Sequence, residues 1–438
     1  MSSERRNDEP TFAAYLALDW ADRKHVWALR AAGSEQVECG ELEHTPEAVA
    51  IWAAGLAERF HGPIAVALEQ ARGALLFLLT KYAQLVLFPV HPGTLANYRA
   101  AFYPSGAKDD PSDARLLLDL LLHHRDRLRP WQPDTVETRT LQFLVEKRRR
   151  LVDEKRRQTQ RLGDELKLYF PQVRDWFEKL DSPLVGQLLQ RWPTIEHLRK
   201  VRPATLRSFF HRQNCRSAEL IEKRIEQIAR AVPATVDQAV IQSSTPVVQV
   251  LVRVIATLRD GIADVDRQID RLFTTHPEFS LFKSFPGAGP ALAPRLLAAL
   301  GTQRERYGSA SEIHCHSGIA PVLQRSGKTE FIHFRRACPK FLRQTFHEWA
   351  GHTIDQSAWA REFYDRQRAQ GKSHQAVLRA LAFKWIRILY RCWKDRTPYD
   401  EARYLHALQR RRLPKPDPTA AFHWQQSGGF FKFVGVSS

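Results

Sequence analysis

The sequence predicts an α/β N-terminal domain, a long helical coiled-coil arm and a mostly α C-terminal domain. Three observations predict it. Short apolar, alternating runs recur between residues 15 and 90. From Val248 the apolar residues step by threes and fours through Leu251, Ile255, Leu258, Ile262, Val265, Ile269 and Leu272, the spacing of a heptad seam. The segment FPGAGPALAPRLLAALG (285–301) is a Gly-X-Gly turn that opens a helix.

The elements follow in order. YLALDW (15–20) and HVWALR (25–30) flank the polar ADRK, the pattern of a hairpin, with Asp22 in its turn. VECGELEH (37–44) is a third strand. PEAVAIWAAGLAERF has helical periodicity, with Thr45 as N-cap and Pro46 at the first helical position. IAVALE (64–69) is a fourth strand, followed by a helix near 71–83 and a fifth strand, LVLFPV (85–90). A linker containing Pro92, Gly93, Pro104 and Gly106 leads to a helix from Ser112, SDARLLLDLLLHH. Three antiparallel strands followed by α/β units match a ribonuclease-H-like fold.

Carboxylates fall at telling places: Asp19 at the end of the first strand, Glu69 at the end of the fourth, Asp110 and Asp113 at the start of the last helix. In such a sheet the first strand is central, the fourth lies beside it, and the last helix packs across both. Four carboxylates converging there repel unless divalent cations neutralise them, and hard oxygen ligands favour Mg²⁺ or Mn²⁺. A pair of ions roughly 3.5–4 Å apart can activate a nucleophile and stabilise a leaving oxygen in phosphodiester cleavage. Asp109 competes with Asp110 as the ligand. The bland alternative is a strand-end turn and a cluster favoured by a helix dipole.

The bulk composition fits a nucleic-acid partner. The 438 residues carry 66 Lys and Arg against 48 Asp and Glu, a formal net charge of +18. Each cation that replaces a condensed counterion on a polyphosphate is favoured by the ion's release. The five cysteines are scattered and imply no disulfide framework, which suits a reducing cytosol. The start has no apolar signal-peptide core, and no apolar run approaches the ~20 residues of a membrane span.

Domain boundaries fall at 11–132 for the carboxylate domain, 135–275 for the arm, 276–395 for the C-terminal domain and 396–438 for a basic tail. In the arm, residues 138–169 form a second long helical pattern with Leu144, Leu151, Leu162, Leu166 and Tyr169 on one face. The two long helices can pair antiparallel or between subunits, and residues 170–245 form a small helical insert.

The C-terminal domain carries a second chemistry. Residues 285–301 resemble a helix-hairpin-helix element, whose backbone amides at Gly287 and Gly289 would face a phosphate. Arg325, Lys328, Arg335, Arg336, Lys340 and Arg343 crowd the following segment, with Ser326-Gly327 in a short polar loop among them. Cations there would hold a phosphate and stabilise charge in its transition state, while Ser-Gly as an ordinary turn is the plainer alternative. The spacing of His314, Cys315, His316, His333 and Cys338 matches no familiar zinc pattern.

YLALDW, VALE, KDDPSDA, PGAGP, SGIAP, RSGK and FRRACPKFLRQTF, in that order, resemble the DEDD-type insertion-sequence transposases, a family that includes the Piv-type DNA invertases. The resemblance spans residues 12–395 and implies a RuvC-like N-terminal domain. It implies that Asp19, Glu69, Asp110 and Asp113 are the metal-binding tetrad, and that Ser326 is the nucleophile that joins covalently to DNA, with Ser317 as fallback. It further implies donor and target DNA, a structured non-coding guide RNA, and a dimer or tetramer of the chain as partners, at a bacterial or archaeal nucleoid. The sequence departs from the family in having Asp109 where Thr precedes the third carboxylate, and a less Ser/Gly-rich serine loop. The competing functions are a junction-resolving endonuclease using water, and a non-enzymatic nucleic-acid binder.

Overall fold

The computed structural model describes residues 11–69, 73–102, 110–327 and 329–412. It forms two compact units, which divide in sequence between Pro133 and Asp134.

The first unit is built on β1 (Ala14–Asp19), β2 (Lys24–Ala31), β3 (Val37–Glu43), β4 (Ile64–Leu68) and β5 (Leu85–Pro89), in the spatial order β3-β2-β1-β4-β5. The β1–β2 and β2–β3 pairs are antiparallel, and β4 and β5 continue parallel to β1. Strand alternation gives the sheet two unlike faces. Leu16, Leu18, Leu29, Ile64, Val66, Leu68 and Leu87 point to one side, under α1 (Pro46–Arg59) and α2 (Ala74–Leu79). Ala17, Ala28, Ala65 and Ala67 line the other, where Ala114, Leu117, Leu118 and Leu121 of α4 (Asp110–His124) pack. Small side chains on that face let the α4 backbone lie close to the strands. Thr45 caps α1 as its sequence predicts, accepting the Ala48 amide at 3.2 Å.

Two expectations in this unit need correction. Residues 92–102, expected as part of a linker, form α3 (Pro92–Phe102). A proline is tolerated in a helix's first turn, where its missing N–H has no partner to lose. The His91 ring accepts the Gly93 amide at 3.0 Å, and the His91 carbonyl accepts that of Thr94 at 2.8 Å. The helix expected near 71–83 is the shorter α2.

The second unit begins with α5 (Val136–Tyr169), which runs antiparallel to α11 (Gln238–Thr274). Thr138 Oγ1 meets His276 Nε2 at 3.0 Å near one end, and Arg148 donates to Asp266 at 3.0 Å further along. Of the two arrangements the sequence left open, the helices thus adopt the intrachain one. On α11, Leu251, Ile255, Ile262 and Ile269 are buried, while Leu258, Val265 and Leu272 are half-buried. Among the described residues α11 alone is long and apolar enough, by length and composition, to cross a membrane.

The insert comprises α6 (Gln172–Trp176), α7 (Pro183–Arg191), α8 (Ile195–Arg199), α9 (Pro203–Arg212) and α10 (Ala218–Arg230). Its Phe170, Leu188, Leu198 and Phe210 share a core with Leu162, Leu166, Val248 and Val252 of the long helices. At the other end of the pair a second core gathers α12 (Phe279–Lys283), α13 (Leu292–Leu300), α14 (Ala310–His316), α15 (Lys340–Thr353), α16 (Ala358–Ala369) and α17 (His374–Asp395). A hairpin, β6 (Val322–Ser326) with β7 (Thr329–His333), and α18 (Glu401–Arg412) complete the unit. The segment around Ser326, expected as a loop, is therefore a β-ribbon.

A candidate carboxylate site and a serine-tipped ribbon

Parallel pairing of Leu18 with Leu68 puts the next residues, Asp19 and Glu69, at the C-terminal ends of neighbouring strands. Strands so paired run about 4.8 Å apart. Each acid follows by two a buried alanine, Ala17 or Ala67, on the α4 side of the sheet. The period-two alternation therefore assigns both acids to the face that α4 covers.

On α4, Asp110 and Asp113 stand three apart, on one side of the helix. Asp113 is 4% exposed, and its carboxylate is engaged by the Arg99 guanidinium of α3. The Asp110 side chain, Asp109 and Lys328 lie outside the described residues. Among the described residues no group of three or more His, Cys, Asp and Glu side chains is gathered to hold a metal ion. The fold thus brings Asp19, Glu69 and Asp113 to one face of the sheet as backbone positions, with hard oxygen donors suited to a divalent cation. The third donor is taken by a guanidinium.

The turn after Asp19 is held by a buried histidine. The Ala21 amide donates to His25 Nδ1 at 3.2 Å, which leaves the ring proton on Nε2, facing His44 Nδ1 at 2.7 Å. Burial, and then His44, pushes the His25 pKa down to about 4, so the ring is neutral near pH 7. Asp22 is exposed in this turn.

In the second unit Ser326 is exposed at the tip of β6, paired with Thr329, and Gly327 takes the left-handed conformation (φ +57°) that a tight hairpin turn needs. Ser317 is fully buried at the end of α14, and its hydroxyl donates to the His314 carbonyl at 3.3 Å. It cannot meet a polymer substrate, which leaves Ser326 as the accessible hydroxyl of the two. Arg325 is exposed and pairs with Glu330 at 3.0 Å. Arg336 and Lys340 are exposed and Arg335 is half-buried. Arg343 lies over the Phe334 ring and donates to the Arg335 carbonyl at 3.4 Å.

The glycines of the PGAGP turn part ways. Gly289 is exposed, whereas Gly287 is buried and its amide donates to Gln356 Oε1 at 2.9 Å. The expected phosphate contact at Gly287 is thereby corrected: its donor is consumed inside the domain. Glu348, one of two acids in the basic segment, also faces inward. Burial alone would raise its pKa, but Arg295, Gln344 and Arg149 hold it below the usual range.

Sequence reasoning missed Arg99, hidden in what passed for a linker, and the ring pair Phe331–His333 on β7. The β-branched and aromatic residues of TEFIHF (Thr329, Phe331, Ile332 and Phe334) carried a propensity signal for that strand.

Comparison with known proteins places these features. A family model for DEDD transposases of the IS110 type, described as "Transposase", matches residues 16–171. A second, "Transposase IS116/IS110/IS902 family", matches residues 279–365. A Streptomyces coelicolor protein named as a mini-circle transposase for IS117 is 26% identical over 405 residues, 90% of this chain and 97% of that protein. An IS116 protein of Streptomyces clavuligerus is 27% identical across 76% of this chain and 82% of its own length. An IS900 protein of Mycobacterium paratuberculosis is 28% identical across 77% and 84%. Transposase sequence therefore occupies both units. The chain belongs to the IS110 family of insertion-sequence transposases, enzymes that act on DNA in transposition.

Proposed function

We propose that this transposase cuts and exchanges DNA strands through a serine–phosphate linkage, with Asp19, Glu69, Asp110 and Asp113 holding Mg²⁺ or Mn²⁺. The observation that carries the reading is the placement of Asp19 and Glu69 on adjacent strand ends, on the face covered by the helix that bears Asp113. The order β3-β2-β1-β4-β5 with β1 central supports a ribonuclease-H-like, RuvC-like assignment for the sheet. Bound divalent ions would supply charge neutralisation and a more acidic hydroxyl.

The chain's own groups do the rest. Ser326 Oγ gives up its proton and attacks phosphorus, its Oγ–P bond forms as one backbone P–O bond breaks, and the departing deoxyribose oxygen takes up a proton. The phosphodiester energy is kept in the linkage, so rejoining needs no added energy source. Arg325, Arg336 and Lys340, all exposed near the ribbon in sequence, would hold the phosphate. Donor and target DNA, a structured non-coding RNA that selects them by pairing, and further copies of the chain complete the proposal.

Ser326→Ala is expected to abolish covalent protein–DNA adducts on denaturing gels while leaving DNA binding within about twofold. Cleavage that persists in Ser326→Ala with no adduct would instead assign the chemistry to water, as in a junction-resolving endonuclease. An adduct that persists moves the nucleophile elsewhere.

The Arg99–Asp113 pair tests the metal. Removing one partner of a well-buried pair costs about 3–5 kcal/mol; with Arg99 partly solvated, roughly 1–3 kcal/mol is expected. Arg99→Met should therefore melt lower than the parent without metal, and recover more than the parent gains when Mg²⁺ or Mn²⁺ is added, since a cation binding only the folded state stabilises it. A thermal melt of Arg99→Met that ignores both ions would remove Asp113 from the ligand set.

A further inference from the structure

We infer that the outer face of the serine ribbon is a stacking platform for an unpaired DNA base next to the reacting phosphate. The inference rests on the reading of Ser326 given above and adds to it a binding element for the same strand. Directly paired residues in an antiparallel ribbon share a face. The register Val322↔His333, Gln324↔Phe331 and Ser326↔Thr329 therefore assembles Ser326, Gln324, Phe331 and His333 on one side. Phe331 is 54% exposed, and every residue of the two strands except Val322 is exposed.

An exposed phenyl ring has a face free for another ring to stack on. Phe331 and His333 lie nearly parallel, 17° between planes with centroids 6.2 Å apart, so the ribbon carries an aligned pair of rings and not a lone one. That pair begins one alternation from Ser326, about 7 Å along the strand. The root of the ribbon is braced: Phe334 is held under Arg379 at 3.9 Å and Arg343 at 4.9 Å. Gln324 adds an amide able to meet a base edge.

The surroundings choose the occupant. Arg325 lies within the ribbon and Arg336 and Lys340 follow it in sequence, and the chain carries +18 overall, which suits a polyanion. Aromatic rings among cations are how proteins hold single strands, the phosphates giving affinity and the rings accepting any base. A base stacked beside Ser326 would leave the duplex and open the backbone for attack.

The test uses the full chain, with fluorescence anisotropy on labelled oligothymidylate and on an abasic strand with the same number of phosphates. The parent should prefer oligothymidylate. Phe331→Ala should weaken that strand about tenfold, leaving the abasic strand and the salt dependence unchanged, because no charge is lost. Phe331→Trp should keep the preference. Equal loss on both strands, or no loss, overturns the proposal. So does a changed oligomeric state in sedimentation with base preference intact, which would make the face a contact between copies. Ser326→Ala should bind both strands as the parent does, so failure of the nucleophile assignment and failure of the platform give different results.

Discussion

Asp19→Asn is expected to lower strand cleavage in Mg²⁺ by at least about a thousandfold, roughly 4 kcal/mol of transition-state stabilisation. The change keeps the side chain's size and removes its charge alone. Its neighbour across the parallel pair is Glu69, so the parent keeps two acids side by side at strand ends. The variant should melt within about 0.5 kcal/mol of the parent, which separates a lost ligand from a lost fold. Asp22→Asn, three residues along in the exposed turn, should cleave within about twofold of the parent, and so controls for general loss of acidity. Quantitative cleavage on a substrate the parent cuts decides it: an Asp19→Asn enzyme retaining a tenth of the activity would sink the carboxylate site.

The sheet was legible because β1, β4 and β5, largely buried on both faces, leave plain apolar runs, and because Thr45-Pro46 marks a helix start by capping chemistry alone. The positions of Asp19 and Glu69 followed from those strands. Arg99 did not, since Pro92-Gly93 read as a breaker, whereas Pro92 is the first residue of α3 and the His91 ring accepts the Gly93 amide. The ribbon under Ser326 was obscured by its charges. VLQRS and TEFIH each mix apolar and polar residues on both faces, and with neither face buried there was no apolar stripe to show the strands. Ser317 and Ser326 were indistinguishable as Ser-Gly pairs. Burial, a property of the packed domain, separates them.

Gly287 illustrates the same limit, and it carries the second large effect. The dipeptide pattern of PGAGP speaks equally for an amide aimed at a phosphate and for a tight internal turn. What decides between them is Gln356, sixty-nine positions away, which accepts the Gly287 amide. Two further facts make glycine obligatory there. Its φ is +71°, a region other L-residues enter at a cost of about 1–3 kcal/mol. A Cβ would also stand 2.7 Å from the His352 carbonyl carbon and 2.9 Å from the Thr353 nitrogen, backbone atoms of α15 that have no rotamer to yield. Overpacking of that kind adds about 1–3 kcal/mol. Gly287→Ala is therefore expected to lose roughly 3–5 kcal/mol, a fall in melting temperature on the order of 10 °C. Gly289→Ala, exposed with open space around its Cβ, should stay within about 0.5 kcal/mol. Melting curves of the two variants settle the role of the turn. If Gly287→Ala melts with the parent and loses DNA affinity instead, the turn is a phosphate contact after all, and its packing against α15 is incidental.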